Sequence, residues 1–405
     1  KMITEFAIAT GIVYGVNYFK NPATKIKKDF NRVMSNNNLD YKIIKILDKN
    51  YGYSLIINLG YQGYEKLEST KDMLETALGY KIYIEQNKNL KTAVMDMIRP
   101  ISNVKFEPMK IQPYELYISK SFTQRAIISN MNKFPHVLVS GQTGCGKTEE
   151  IRIILTNLIY NYSKRDINLY FSDLSDTNDF IVFQNCNQTK FYARNIYDSL
   201  KLFKYLMHLY TKRLSIFAKF NCKNILEYNK KNHEKRMSYV YLILDEFADY
   251  FPANQHMVYY KEKQECYNIL RELIRKSRKA GIFLIVGIQR PDTTVLDPSL
   301  RSGLCTKIAF SQNNNASSLT VCDSNELTNI ENRQALFMAG NKREWFRTLD
   351  VNDKIIKKYV ANSYIISKPY KENSPNKTTN IVDVKKYTEI KELPSRKKSK
   401  RRIKL

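Results

Sequence analysis

The sequence predicts an α/β fold, with a mostly parallel sheet in its larger part and a smaller N-terminal α/β lobe ahead of it. Three observations carry that expectation. A glycine-rich loop lies between an apolar run and a helical one, an apolar strand ends in two acids, and strand-like runs alternate with helical ones from about residue 111 to 365. Such alternation is the pattern of parallel strands joined by helices.

The loop is Gly141-Gln142-Thr143-Gly144-Cys145-Gly146-Lys147-Thr148. It follows the apolar run His136-Val137-Leu138-Val139-Ser140 and opens at Glu149 into residues of helical spacing. In that strand–loop–helix setting, G-x-x-x-x-G-K-[ST] is a phosphate loop. Its glycines let backbone N–H groups close on a phosphate where a Cβ would clash. The helix N-terminus adds the positive end of its dipole. Lys147 is expected to reach the β- and γ-phosphates and Thr148 to ligate Mg²⁺. Residues Gly141 through Glu149 are the expected nucleotide contact. With no N-K-x-D guanine-reading motif in the chain, the nucleotide is read as ATP.

The remaining core strands are expected at Val137–Ser140, Ile167–Ser172, Tyr239–Leu244, Ile282–Ile288 and 306–310. The run 240–244 delivers Asp245 and Glu246 at its C-terminal edge, where a P-loop fold needs acids. Asp245 is expected to hold Mg²⁺ through its water shell, and Glu246 to polarise the attacking water, which makes the site catalytic. Gln289, at the tip of Ile282–Ile288, either senses the γ-phosphate or caps a loop, and Pro291 stops the strand.

Ahead of this core, strand-like runs at 53–58 and 81–85 flank a helical segment at 67–78, entered through Ser69-Thr70-Lys71-Asp72. They define a lobe over 29–110 with no catalytic spacing. Residues 1–28 are read as a membrane-proximal segment. The apolar run 6–16 is shorter than a bilayer span, so it is a membrane-helix stub, an interfacial helix or a buried core helix. Lys20, Lys25, Lys27 and Lys28 follow it and place the remainder on the cytoplasmic side. The core is expected over 111–370. A polar tail at 371–405 closes the chain, and seven of the nine residues in 396–404 are basic.

With 405 residues, two or three domains fit, and 43% hydrophobic residues exclude a disordered chain. The net charge of +27 points to a polyanionic partner, nucleic acid before an anionic membrane face. The six cysteines have no C-x-x-C pair and no ligand-like spacing with His, which argues against a zinc site or disulfide framework and for reduced, mostly buried thiols. Cys145 is either a small side chain in the loop or a target for thiol reagents.

Three segments resemble the signature stretches of the FtsK/SpoIIIE family of DNA-pumping ATPases. They are Pro135 through Thr148, Leu242-Ile243-Leu244-Asp245-Glu246-Phe247-Ala248-Asp249, and Arg278 through Pro291. Asn224 to Asn229, preceded by Arg213, resembles the linker before the acid strand, and Thr306-Lys307-Ile308-Ala309-Phe310 the strand after the glutamine. The resemblance covers about residues 50–345, in order. It implies a RecA-like P-loop ATPase that assembles as a homo-oligomeric ring, usually a hexamer, around double-stranded DNA, with the lobe at 29–110 as an accessory part of the motor.

The chain departs from the family pattern in three places, one of them the lack of a large multi-pass membrane region in this sequence. Too few residues follow Tyr370 for the winged-helix domain that relatives commonly carry. Lys307 stands where relatives usually have arginine, so Arg278, Arg290 and Arg301 are the candidates for a trans-acting arginine, each also readable as a surface cation. Lys261 and Lys263, after the acid strand, are candidate DNA-phosphate contacts or an ordinary exposed loop and helix start.

Within the family, the chain is most similar to the TcpA-type coupling ATPases of Gram-positive conjugative elements. That resemblance implies a motor at the cytoplasmic face of the membrane, with relaxase and transfer-channel partners. Chromosome segregation, DNA packaging, protein secretion and a nucleotide-dependent scaffold are the alternatives.

Overall fold

The computed structural model describes residues 22–99, 104–175, 177–328 and 330–365. They fall into two compact units. One runs to Asn157 and includes Ile288–Ile356; the other comprises Leu158–Gly287 and the described residues from Lys357 onward. The apolar run at 6–16 and the basic tail at 371–405 lie outside the described residues.

The first unit opens with helix α1 (Pro22–Asn36), which buries Ile26, Phe30, Val33 and Met34 at helical spacing. Residues 22–28, assigned from sequence to the membrane-proximal segment, are therefore the first turns of a helix packed into the lobe. Then come β1 (Lys42–Lys49), β2 (Gly52–Asn58), α2 (Gly63–Glu68), α3 (Lys71–Leu78), β3 (Lys81–Gln86) and β4 (Thr92–Ile98). The four strands form an antiparallel sheet in the order β1-β2-β4-β3. Alternate residues Tyr53, Leu55 and Ile57 of β2, with Ala93, Met95 and Met97 of β4, share one core with Phe30, Leu67 and Leu74.

The single helix expected over 67–78 is two helices. Thr70 Oγ1 donates to the Leu67 carbonyl at 2.7 Å, a local bond that competes with helix continuation. Helix α3 ends at Gly79, whose φ of +71° suits glycine.

A hairpin of β5 (Glu115–Lys120) and β6 (Ala126–Asn130) leads to β7 (Val137–Ser140) and then α4 (Lys147–Asn161). The second unit contains β8 (Ile167–Ser172), β9 (Thr189–Ala193), α5 (Ile196–Lys219), α6 (Ile225–Lys231), β10 (Tyr239–Leu244), α7 (Tyr260–Lys276) and β11 (Ile282–Ile288). Helices α5 and α6 start at Asn195 and Asn224, whose side chains accept the N–H of Asp198 and Glu227. Its strands run parallel in the order β11-β10-β8-β9. Every residue of β10 and β11 is buried, as strands covered on both faces require. Arg213 of α5 is buried among them, and its guanidinium donates to the carbonyls of Ala280 (2.6 Å) and Ser238 (2.8 Å), just ahead of β11 and β10. Burial lowers its pKa to about 10.

The chain then returns to the first unit with α8 (Pro298–Gly303), β12 (Thr306–Ala309), α9 (Asn315–Cys322), β13 (Gln334–Ala339) and β14 (Lys342–Arg347), and α10 (Asp353–Val360) follows. Strand order here is β14-β13-β12-β7, with β7 and β12 parallel and the last two strands antiparallel. The core strands are thus mostly parallel, as expected, with an antiparallel hairpin that the sequence reading did not include. Among the described residues no helix is long and apolar enough to cross a membrane.

Candidate nucleotide site

The loop between β7 and α4 has the backbone its sequence demands. Gly144 and Gly146 sit at φ +78° and +113°, a region that L side chains adopt only with strain. Gly141 is needed for a different reason. A Cβ there would lie 2.5 Å from both Cys145 Sγ and Phe310 Cβ. The loop is braced along its length. The Gly141 N–H donates to Ile288 (3.2 Å), the Gln142 N–H to Ser311 (3.0 Å), and the Arg333 N–H to the Cys145 carbonyl (3.1 Å). Lys147 is buried and Thr148 half-buried in the first turn of α4, beside Glu149. Positive-φ glycines followed directly by a helix N-terminus fit the nest that a triphosphate requires.

Gln289, expected as a γ-phosphate sensor or a loop cap, meets the loop: Thr143 Oγ1 donates to its Oε1 at 3.0 Å. Cys145 is buried, and burial pushes its thiol up to about 11. That supports the reading of a small packing side chain, since the reactive species is the thiolate.

Glu150, which the sequence reading passed over, is fully buried behind the loop, and Thr348 Oγ1 donates to its Oε2 at 2.7 Å. Among the described residues its Oε1 has no hydrogen-bond partner. Burial pushes the carboxyl up to about 8, against the Thr348 hydrogen bond and the nearby Arg333. The group is therefore neutral at pH 7 and must take up a proton on folding. Its folded pKa lies above the ordinary 4.5, so its contribution is complete below 4.5 and is lost as pH rises through 8. Glu150→Gln is expected to flatten that slope. The variant should be more stable than the parent between pH 6 and pH 8, by an amount on the order of a few kcal/mol at the upper end, as read by thermal unfolding across pH.

In the second unit, β10 leads directly into Asp245, which is 7% exposed, and the half-buried Glu246 follows in extended conformation. The Glu246 carboxylate accepts the Ala248 N–H at 3.4 Å, opening a 3₁₀ turn over Phe247–Tyr250. Strand β11 approaches closely here: a Cβ on Gly287 would lie 2.0 Å from the Asp245 carbonyl oxygen. Asp173, at the end of the neighbouring β8, is a further buried acid and accepts the Tyr192 hydroxyl at 2.7 Å. Burial, Asp173 and Asp245 all raise the Tyr192 pKa. Three carboxylates, Asp173, Asp245 and Glu246, thus lie at the C-terminal ends of neighbouring parallel strands, the edge where such folds bind ligands, and sequence had pointed to two of them.

The other candidates are more scattered. Arg278 and Arg290 are exposed, while Arg301 is half-buried and donates to the Thr320 carbonyl at 3.3 Å. Lys307 is committed to the fold, donating to Val321 at 2.9 Å, and burial lowers its pKa. Lys261 is exposed and Lys263 half-buried in the first turn of α7. That helix is entered through Tyr259, whose φ of +61° is strained for an aromatic residue.

The profile of the FtsK/SpoIIIE family matches residues 110–293. Curated relatives include the DNA translocase FtsK of Clostridium tetani, 27% identical over 217 residues, which cover 51% of this chain and 27% of that protein. Another is the DNA translocase SftA of Bacillus subtilis, 24% identical over 243 residues, 58% of this chain and 24% of the relative. The match thus spans about a quarter of the length of these relatives. Among solved structures, the chain resembles the monomer form of the pCW3 conjugation coupling protein TcpA with ATPγS. The TM-score is 0.62 at 21% identity, over 84% of this chain and 99% of that one. It also resembles the cytoplasmic domain of the Thermomonospora curvata type VII secretion ATPase EccC, with TM-score 0.54 at 17% identity, over 64% of this chain and 32% of that one. Over residues 110–293 the chain is thus similar to the FtsK/SpoIIIE family.

Proposed function

We propose that this chain is an ATP-driven DNA translocase that works as a homo-oligomeric ring, a hexamer by family resemblance, and serves as the coupling ATPase of a conjugative element. The observation that carries the reading is Glu246, a half-buried carboxylate directly after the buried Asp245 at the end of a buried parallel strand, in a chain with a complete phosphate loop. A passive nucleotide binder has no use for that second acid.

In this reading the loop N–H groups and Lys147 would bind the ATP phosphates, Thr148 and Asp245 would hold Mg²⁺, Glu246 would take the proton of the attacking water, and Gln289 would report on the γ-phosphate. Bound Mg²⁺ would neutralise charge on the phosphates. Arg278, Arg290 or Arg301 would complete the site of a neighbouring copy. The net charge of +27 supports a nucleic-acid cargo, contacted through backbone phosphates at Lys261 and Lys263. Likeness of fold to TcpA supports the conjugative branch over segregation or packaging, and with it a relaxase, a transfer channel and a place at the cytoplasmic face of the membrane. Likeness of fold to EccC supports a secretion motor as the second reading, but such a motor gains nothing from the positive charge.

The deciding experiment is steady-state ATP hydrolysis with and without linear double-stranded DNA. Stimulation of tenfold or more is expected, on the order of one unit in log rate. Turnover indifferent to DNA would turn attention to a protein cargo.

A further inference from the structure

Within the first unit, the lobe and the β13–β14 hairpin face each other across a cleft of about 220 Å³. Lys81 and Ile98, paired on β3 and β4, line one side with Arg99; Gln334 and Arg347, paired on β13 and β14, line the other with Glu331. Phe122, which stacks on Tyr83 at 5.4 Å between ring centres, closes one end.

Two polar groups here are poorly served by the protein. Gln334 is only 7% exposed, yet its side-chain amide has no hydrogen bond among the described residues. Among the described residues the Nε of Arg347 is buried without a hydrogen-bond partner, and its Nη1 pairs with Glu331 at 3.5 Å, at the limit of a hydrogen bond. Leaving the buried Arg347 Nε unpaired is costly, and an acceptor in the cleft would serve Gln334 and the outer nitrogens of Arg347 alike. Three cations against one carboxylate set the sign of that acceptor. Lys81 and Arg99 have protein neighbours, Glu75 at 2.9 Å for the lysine, and Asp48 at 3.4 Å with the Tyr53 ring for the arginine, but both cations are exposed, where such pairs are worth little and leave donors for a further anion. Arginine matches phosphate geometry with two parallel donors, while Phe122 and Ile98 give a sugar or base an apolar wall.

We propose that this cleft is a phosphate-binding site, filled either by the DNA backbone or by a small free phosphate compound. The DNA source rests on the translocase reading; the small-phosphate source does not. Trp345, the chain's sole tryptophan, is a built-in reporter: it sits two residues from Arg347 on β14, and its carbonyl accepts the Phe122 N–H at 3.3 Å.

The test uses the full chain carrying Lys147→Ala, which silences the phosphate loop. It is titrated with sodium pyrophosphate and, separately, with short linear duplex DNA, following Trp345 fluorescence. Lys81→Ala/Arg99→Ala changes only exposed side chains and so guards against misfolding; Arg347→Gln probes the buried wall. Both are expected to weaken binding of at least one probe about tenfold. If the source is DNA, the double variant also loses about two units from the salt slope of log K. A loss confined to DNA names the backbone, and a loss with pyrophosphate names the free compound. Unchanged affinities for both probes in both variants, or no Trp345 response to either, overturns the proposal. Failure of the translocase reading would appear instead as DNA-indifferent ATP turnover in the parent chain, with the pyrophosphate result intact.

Discussion

Glu246→Gln is expected to lower ATP turnover by about 10²–10⁴-fold, the usual worth of a general base, while nucleotide affinity stays within a small factor of the parent. Glutamine keeps the shape of the side chain and an oxygen to accept the Ala248 N–H. What it loses is basicity, so the loss should fall on kcat and spare KM. Binding of a non-hydrolysable ATP analogue, measured beside steady-state hydrolysis, separates the two. Lys147→Ala should show the opposite balance, with binding lost first, because Lys147 stands in the first turn after the loop, where under the proposed function it would meet ground-state phosphates. If Glu246→Gln retains turnover within a factor of about three, well short of a base's usual worth, another acid takes the proton. Asp173 would be the group to test next, as a buried carboxylate at the end of the neighbouring strand.

Much of this site is written in short stretches of chain. The phosphate loop, the acid strand and the glutamine strand are each an apolar run that ends in polar residues, and β7, β8, β10 and β11 lie where those runs place them. Such runs are legible because burial on both faces leaves no polar residue to blur their limits.

What escaped depends on contacts between distant segments. Glu150 looks like an ordinary first-turn helix acid until Thr348, 198 residues away, closes over it. Arg213 looks like a surface cation on a long helix, but it ties the starts of two strands. Strand β1 is missed because Lys42, Lys45 and Lys49 interrupt its apolar residues, a common device on an exposed edge. The β13–β14 hairpin did carry a local signal in Gly340-Asn341 between its strands, with Gly340 at φ +59°.

Gly287→Ala is expected to be the most damaging single-methyl change in the nucleotide-binding core. The added Cβ would stand 2.0 Å from the carbonyl oxygen of Asp245 and 3.3 Å from that of Leu244. Those atoms are the backbone of the partner strand, not a side chain that can swing aside. Strands β10 and β11 are buried along their whole length, so neither can retreat without opening the core, and overpacking of this kind costs about 1–3 kcal/mol or more. Gly287 does not occupy the positive-φ region, so the penalty is steric and cannot be relieved by a local backbone change. Because the clash falls on Asp245 itself, catalysis should suffer beyond the loss of stability, with a higher Mg²⁺ requirement for hydrolysis at temperatures where the variant is still folded. Gly60→Ala is the matched control: it pays for φ +53° but meets nothing within 4 Å, so it should cost only the conformational strain of about 1–2 kcal/mol and leave the Mg²⁺ requirement alone. Thermal unfolding and Mg²⁺ titration of both variants separate steric displacement of the acid from general destabilisation. Equal Mg²⁺ requirements in the two would mean that the close approach of β11 does not position Asp245.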